Sequence, residues 1–185
     1  MGQCLCRKWF QRRPPRLLML GLDGTGKTTC FYRLKLNKTV QTTPTIGFGV
    51  EMVTTNRDGQ SFNILVVGSG GDKLQRLWRH YCYNTVGIIY VVDSADKERL
   101  AEARELLFSI LQTPELSHGT PVLVLANKQD LEGSSHLTKL TDELQLHKLV
   151  ANPWHIQGAC ARTGDGLYKG LDELSRMIRE IKRRR

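Results

Sequence analysis

No apolar run in this 185-residue chain reaches the roughly 18 residues that a membrane-spanning helix needs. None follows Met1 as the apolar centre of a secretory leader would. A membrane span and secretion are therefore not expected. Cysteine is scarce and poorly spaced for staples. Cys4, Cys6, Cys30, Cys82 and Cys160 make an odd count, form no Cys-x-x-Cys pair, and leave Cys4 and Cys6 without a nearby histidine. That spacing argues against a disulfide framework or zinc site and fits a reducing compartment. Internal repeats and low-complexity linkers are lacking too. Acid is missing from residues 1–16, which hold Arg7, Lys8, Arg12, Arg13 and Arg16. It is reduced to Glu180 in residues 176–185, beside Arg176, Arg179, Lys182, Arg183, Arg184 and Arg185. The net charge of +9 thus belongs to the two ends, and the stretch between is almost neutral. This argues against a nucleic-acid-binding core and for tails that meet an anionic surface.

What is present suffices for a single domain. The chain is 40% hydrophobic and 24% charged, as globular domains are. A chain of this length buries roughly 70% of its unfolded surface. Short apolar, β-branched runs recur at Leu17–Leu20, Asn63–Val67, Gly87–Val92, Pro121–Ala126 and Trp154–Gln157, as in strands buried on both faces. Between them, amphipathic patterns predict helices over Asp96–Leu111, Leu137–Leu146 and Gly166–Ile181. Strands alternating with helices imply a parallel, doubly wound α/β sheet, with ligands at the carboxyl ends of its strands. Pro14-Pro15 sets residues 1–15 apart from a domain spanning 16–181, and 182–185 form a basic tail.

Gly21-Leu22-Asp23-Gly24-Thr25-Gly26-Lys27-Thr28 matches G-x-x-x-x-G-K-[ST] in full and lies between a strand and a helix. Glycines let the backbone wrap a β-phosphate, and the helix N-terminus adds partial positive charge. Lys27 supplies a mobile cation to the β- and γ-phosphates, and the Thr28 hydroxyl supplies a hard ligand to Mg²⁺. Asn127-Lys128-Gln129-Asp130 follows a later strand. Asp130 can accept two hydrogen bonds from guanine N1–H and N2–H₂, a donor pair adenine lacks. The Lys128 stem can cover one face of the base. Cys160-Ala161-Arg162 follows the last strand, and the Ala161 N–H is expected to donate to guanine O6.

These residues make the chain resemble the Arf and Arf-like small GTPases from about Arg16 to Lys182. The resemblance is carried by GLDGTGKTT (21–29), PTIGFGVE (44–51), DKLQRLWRHY (72–81), VVDSADKERL (91–100), LANKQDL (125–131) and GDGLYKGLDELS (164–175). It implies the P-loop small G-protein fold, a mostly parallel six-stranded sheet with helices on both faces. It implies GTP and GDP as ligands, with Mg²⁺, and extends the nucleotide contacts to Thr29, Thr45 and Gly70. Thr45 would join Thr28 on Mg²⁺. Two switches would follow, at Thr45–Phe48 and at Gly70–Tyr81, released on hydrolysis. Exchange factors and effectors would meet Phe48, Trp78 and Tyr81, and the protein would be a monomer with no specific nucleic-acid partner.

The departure from the family lies just before Asp72-Lys73. Where the family has W-D-V-G-G-Q, this chain has Val66-Val67-Gly68-Ser69-Gly70-Gly71. Val67 takes the place of a Mg²⁺-linked Asp, and Gly71 that of the water-orienting Gln. In the adjacent register those places fall to Val66 and Gly70. Either way no Asp or Gln lies between Phe62 and Gly71. Intrinsic rates in such proteins are on the order of 10⁻⁴–10⁻² s⁻¹, and the loss is expected to lower them further. Two readings stay open: a GTP-binding switch with impaired hydrolysis, and a pseudo-GTPase interaction protein. A P-loop kinase acting on ATP is disfavoured by Asn127 and Asp130.

The N-terminus carries the membrane expectation. Met1-Gly2 suits myristoylation of Gly2, although Cys6 stands where Ser or Thr is preferred. Cys4 and Cys6 are open to palmitoylation, and one acyl chain needs a second or a basic patch for stable anchoring. The alternative is a disordered basic tail. The C-terminal cluster suits an anionic leaflet, a nuclear-localisation signal or a solvated helix end. The expected location is the cytoplasmic face of Golgi, endosomal or plasma membranes, with cytoplasm and nucleus as further sites.

Overall fold

The structure, a computed structural model, describes residues 15–36, 51–57, 60–67, 81–116 and 118–184. Strands β1 (Arg16–Leu20), β2 (Glu51–Arg57), β3 (Gln60–Val66), β4 (Thr85–Asp93), β5 (Val122–Asn127) and β6 (Trp154–Gly158) form one sheet in the order β2-β3-β1-β4-β5-β6. Every pairing is parallel except β2 with β3. The described helices are α1 (Lys27–Leu36), α2 (Leu100–Leu111), α3 (Leu137–Glu143) and α4 (Leu167–Arg184), with a 3₁₀ turn at Leu146–Lys148. None is long and apolar enough to cross a membrane.

Strict alternation in the buried strands builds two cores. Leu18, Leu20, Ile88, Tyr90 and Val124 project to the face covered by α2 and α3. Leu17, Met19, Ile89, Val91 and Leu125 project to the face covered by α1 and α4. Both faces are therefore apolar, which is why these strands read as nearly unbroken hydrophobic runs. Cys30 and Cys82 are buried among them, and burial pushes their thiols up to about 12 and about 11.

Several boundaries differ from the sequence expectation, among them the helix expected from Asp96, which begins at Leu100. β2 escapes the pattern because its sequence, EMVTTNR, is mostly polar; it is held by an antiparallel ladder running from Glu51↔Val66 to Arg57↔Gln60. The expected helix over Leu137–Leu146 stops at Glu143, and Gln145 takes a left-handed φ of +52°. The last helix continues beyond Ile181 through Lys182, Arg183 and Arg184, so those cations extend its final turn.

Close packing sets two glycines. A Cβ on Gly87 would sit 3.1 Å from Leu17 and 3.2 Å from Leu174 and Ile178. A Cβ on Gly170 would sit 3.1 Å from Leu125 and 3.2 Å from Leu123. Both permit α4 to lie directly on the sheet. Gly170→Val is expected to lower the urea midpoint by an amount equivalent to about 1–3 kcal/mol, the cost of overpacking. A midpoint equal to that of the unaltered chain would show that the helix has room to lift.

Candidate functional site

The loops that carry the motifs emerge at the carboxyl ends of β1, β4, β5 and β6, where a parallel sheet leaves its strand ends open. The loop after β1 depends on its glycines. A Cβ on Gly21 (φ +144°) would lie 2.2 Å from Val91 O, so the chain crosses β4 at the closest possible approach. A Cβ on Gly26 (φ +91°) would lie 2.3 Å from Asn127 Nδ2. Thr25 Oγ1 donates to Leu22 O at 2.9 Å and tightens the turn. Gly26 O accepts from Cys30 N and starts α1. Lys27 Nζ donates back to Gly21 O at 2.9 Å and Leu22 O at 2.6 Å. Burial lowers the Lys27 ammonium to about 8.

Asn127 joins the loops. Its side chain is buried, with Nδ2 donating to Thr25 O at 2.8 Å and Oδ1 accepting from Ala161 N at 2.9 Å. Its main-chain O accepts from Ser94 N at 3.0 Å and Ser94 Oγ at 2.6 Å. Four loops, from β1, β4, β5 and β6, thus converge on one residue. The Ala161 N–H, expected to donate to a guanine O6, donates to Asn127 Oδ1 in this structure. Its role in this arrangement is to hold the carboxamide.

Asp130, Cys160 and Arg162 do come together. The Cys160 thiol bonded to Asp130 holds its carboxyl below the usual carboxylate range, and Arg162 Nη1, 3.4 Å from Asp130 Oδ2, adds to this. An ionised, partly exposed carboxylate at this position can accept two donors from a purine edge. Lys128 (φ +65°) places Nζ 2.5 Å from Asp93 Oδ2, so its stem is anchored across the ends of β4 and β5. Asp93 also accepts from Ala95 N at 3.0 Å. Asp93 and Arg99 were missed in the sequence; the only signal was the unbroken VVDSADKERL match.

Alternation also settles which β3 residue faces α1. Phe62, Ile64 and Val66 lie on the α1 face with Cys30, Phe31 and Leu34, whereas Leu65 and Val67 lie on the opposite one. Val66 and Val67, which take the Asp place in the adjacent and the anchored register, thus lie on opposite faces, and both are aliphatic. Valine at either place offers no oxygen. Among the described residues no cluster of three His, Cys, Asp or Glu side chains forms. A Mg²⁺ at this end of the sheet would have the Thr28 hydroxyl, whose place in the first turn of α1 fits a hard ligand.

Thr29 lies beside Thr28 in that turn, and Leu22, Asp23 and Gly24 complete the loop. Tyr81 is half-buried and packs against the core under α2. Thr45, Phe48, Gly70, Gly71 and Trp78 lie outside the described residues, as do Gly2, Cys4 and Cys6.

The model of the ADP-ribosylation factor family, Arf, matches residues 3–178. Among solved structures, the chain is similar to that of the Arl6 BBS3 small GTPase from Trypanosoma brucei with bound nucleotide analogue GppNp. The two share 26% identity with a TM-score of 0.77, over 90% of this chain and 98% of that one.

Lys27 predicts a pH dependence. A phosphate ligand binds the ammonium form, and the free protein loses that proton near 8 rather than near 10.5. GDP affinity is expected to fall as pH rises through 8, because binding must then take up a proton. Calorimetry in two buffers of different ionisation enthalpy, at a pH of about 8.5, should register that uptake. Lys27→Met should abolish it; unaltered uptake in that variant would assign the proton elsewhere.

Proposed function

The chain belongs to the ADP-ribosylation factor family, and from that premise we propose that it is a membrane-associated guanine-nucleotide switch whose hydrolysis step is impaired. The observation that carries the nucleotide part is the Asn127 carboxamide, which ties the phosphate loop at Thr25 to the Ala161 loop beside Asp130. One buried group thereby fixes the distance between the phosphate end and the base end of the site.

The roles follow from chemistry. Gly21 to Gly26 wrap the phosphates, and Lys27 and the opening turn of α1, with Thr28 and Thr29, face their charge. Asp130 accepts from the guanine edge, with Cys160 and Ala161 in the neighbouring loop and Lys128 beside the base. Thr28 and Thr45 would hold Mg²⁺, which when bound screens the charge of the phosphates. Gly70 would sense a γ-phosphate through its backbone. Hydrolysis is slow in this reading because neither Val66 nor Val67 carries an oxygen and neither Gly70 nor Gly71 carries a side chain to orient water. Phe48, Trp78 and Tyr81 would meet exchange factors and effectors. Gly2, Cys4, Cys6 and the basic ends would hold the protein on a cytoplasmic membrane face. The aliphatic end of β3 also favours a second reading, a pseudo-GTPase interaction protein that holds nucleotide constitutively or not at all.

Two experiments test this. Asp130→Ala should weaken GDP binding about 100-fold, the loss of two bonds to a charged acceptor; an unchanged Kd would remove Asp130 from the site. Nucleotide extracted from freshly purified protein should be GTP. GDP would contradict slow hydrolysis, and an empty site would favour the pseudo-GTPase.

A further inference from the structure

Arg99 stands one residue before α2 and reaches back to the phosphate loop. Its Nη2 lies 2.7 Å from Asp23 Oδ1, and its Nη1 donates to Asp23 O at 3.5 Å. The other edge of the guanidinium is held by Glu102 in the first turn of α2, with Nε 2.8 Å from Oε2 and Nη2 3.2 Å from Oε1. The Arg99 main-chain N donates to Asp96 Oδ1 at 3.3 Å, which fixes where the side chain starts. The Arg99 guanidinium beside Asp23 holds that carboxyl below its ordinary value.

The loop needs such a contact at this point. Lys27 restrains it at Gly21 and Leu22, and Asn127 restrains it at Thr25. Between them lies the tip, Asp23-Gly24, where a Cβ on Gly24 would meet nothing within 4 Å. The Asp23 carboxylate is also an anion on a loop that wraps anionic phosphates, so a cation on its outer side offsets the repulsion. We propose that Arg99 is a positioning residue that latches the tip of the phosphate loop through Asp23 and sets how fast guanine nucleotide leaves. The proposal rests on the nucleotide-binding reading above.

The test is release of a fluorescent GDP from the full chain, chased with excess GDP. Arg99→Ala is expected to release about fivefold faster, equivalent to ~1 kcal/mol, the upper end for an exposed ion pair. Arg99→Lys keeps the charge without the fork and should fall between the two. Asp23→Asn should accelerate release to a similar degree, and the double variant should be no faster than either single one, since both remove one interaction. Raising salt from about 50 to about 500 mM should speed the unaltered chain but not Arg99→Ala. A role confined to stability would move the melting midpoint without this salt signature. Release from Arg99→Ala at the unaltered rate, or slower release from Asp23→Asn, would overturn the latch. If the unaltered chain takes up no labelled GDP at all, the nucleotide reading itself fails, and the latch falls with it.

Discussion

Everything at the open end of the sheet depends on the buried carboxamide of Asn127. A buried amide must satisfy both its donor and its acceptor, and leaving either unpaired costs about 1–3 kcal/mol. Here the donor goes to Thr25 O and the acceptor takes Ala161 N. Those partners belong to loops far apart in the chain, so neither loop can shift without stranding a polar group. Gly26 follows from the same constraint, since its Cβ would occupy the space of Asn127 Nδ2. The glycine that shapes the phosphate loop and the asparagine of the base motif are therefore one packing decision.

Around that neutral centre stands a rim of ion pairs. Asp93 meets Lys128, Asp130 meets Arg162, and Asp23 meets Arg99, which also meets Glu102. These four acids share three cations, so most of the rim's negative charge is compensated toward an anionic ligand. The tails that carry the formal excess of +9 are a separate matter. The domain is nearly neutral and its ends are basic. The chemistry of binding is thus decided by individual pairs, not by a general field.

Much of this was legible in the chain. The five apolar runs became five strands, because residues buried on both faces leave no polar interruption. The phosphate loop declared itself through glycines whose positive φ values are needed for contact with Val91 and Asn127. What stayed hidden was long-range pairing. Nothing local in Arg99 or Asp93 announces a partner in another loop. The Asn127 side chain likewise gives no local sign that it ties Thr25 to Ala161. Which valine at the end of β3 shares a face with α1 needed the strand itself, because only alternation tells it.

That alternation bears on why binding and hydrolysis can part company. The residues that shape the cradle sit at the ends of β1, β4, β5 and β6 and are linked to one another by hydrogen bonds. Among the described residues, the hydrogen bonds that link those loops do not run through the end of β3. Val67 meets β1 through its main chain, donating to Met19 O at 3.0 Å, a bond indifferent to the side chain. Val66 and Val67 are both buried, so aliphatic side chains there add apolar packing and remove the cost of desolvating a carboxylate. A carboxylate at position 66 would need a metal or another cation to offset that cost; valine needs neither. Replacing acid by valine at this edge therefore leaves the cradle, its glycines and its buried amide untouched. On the proposed reading, such a chain keeps the architecture that grips a nucleotide while the end of β3 offers only aliphatic side chains.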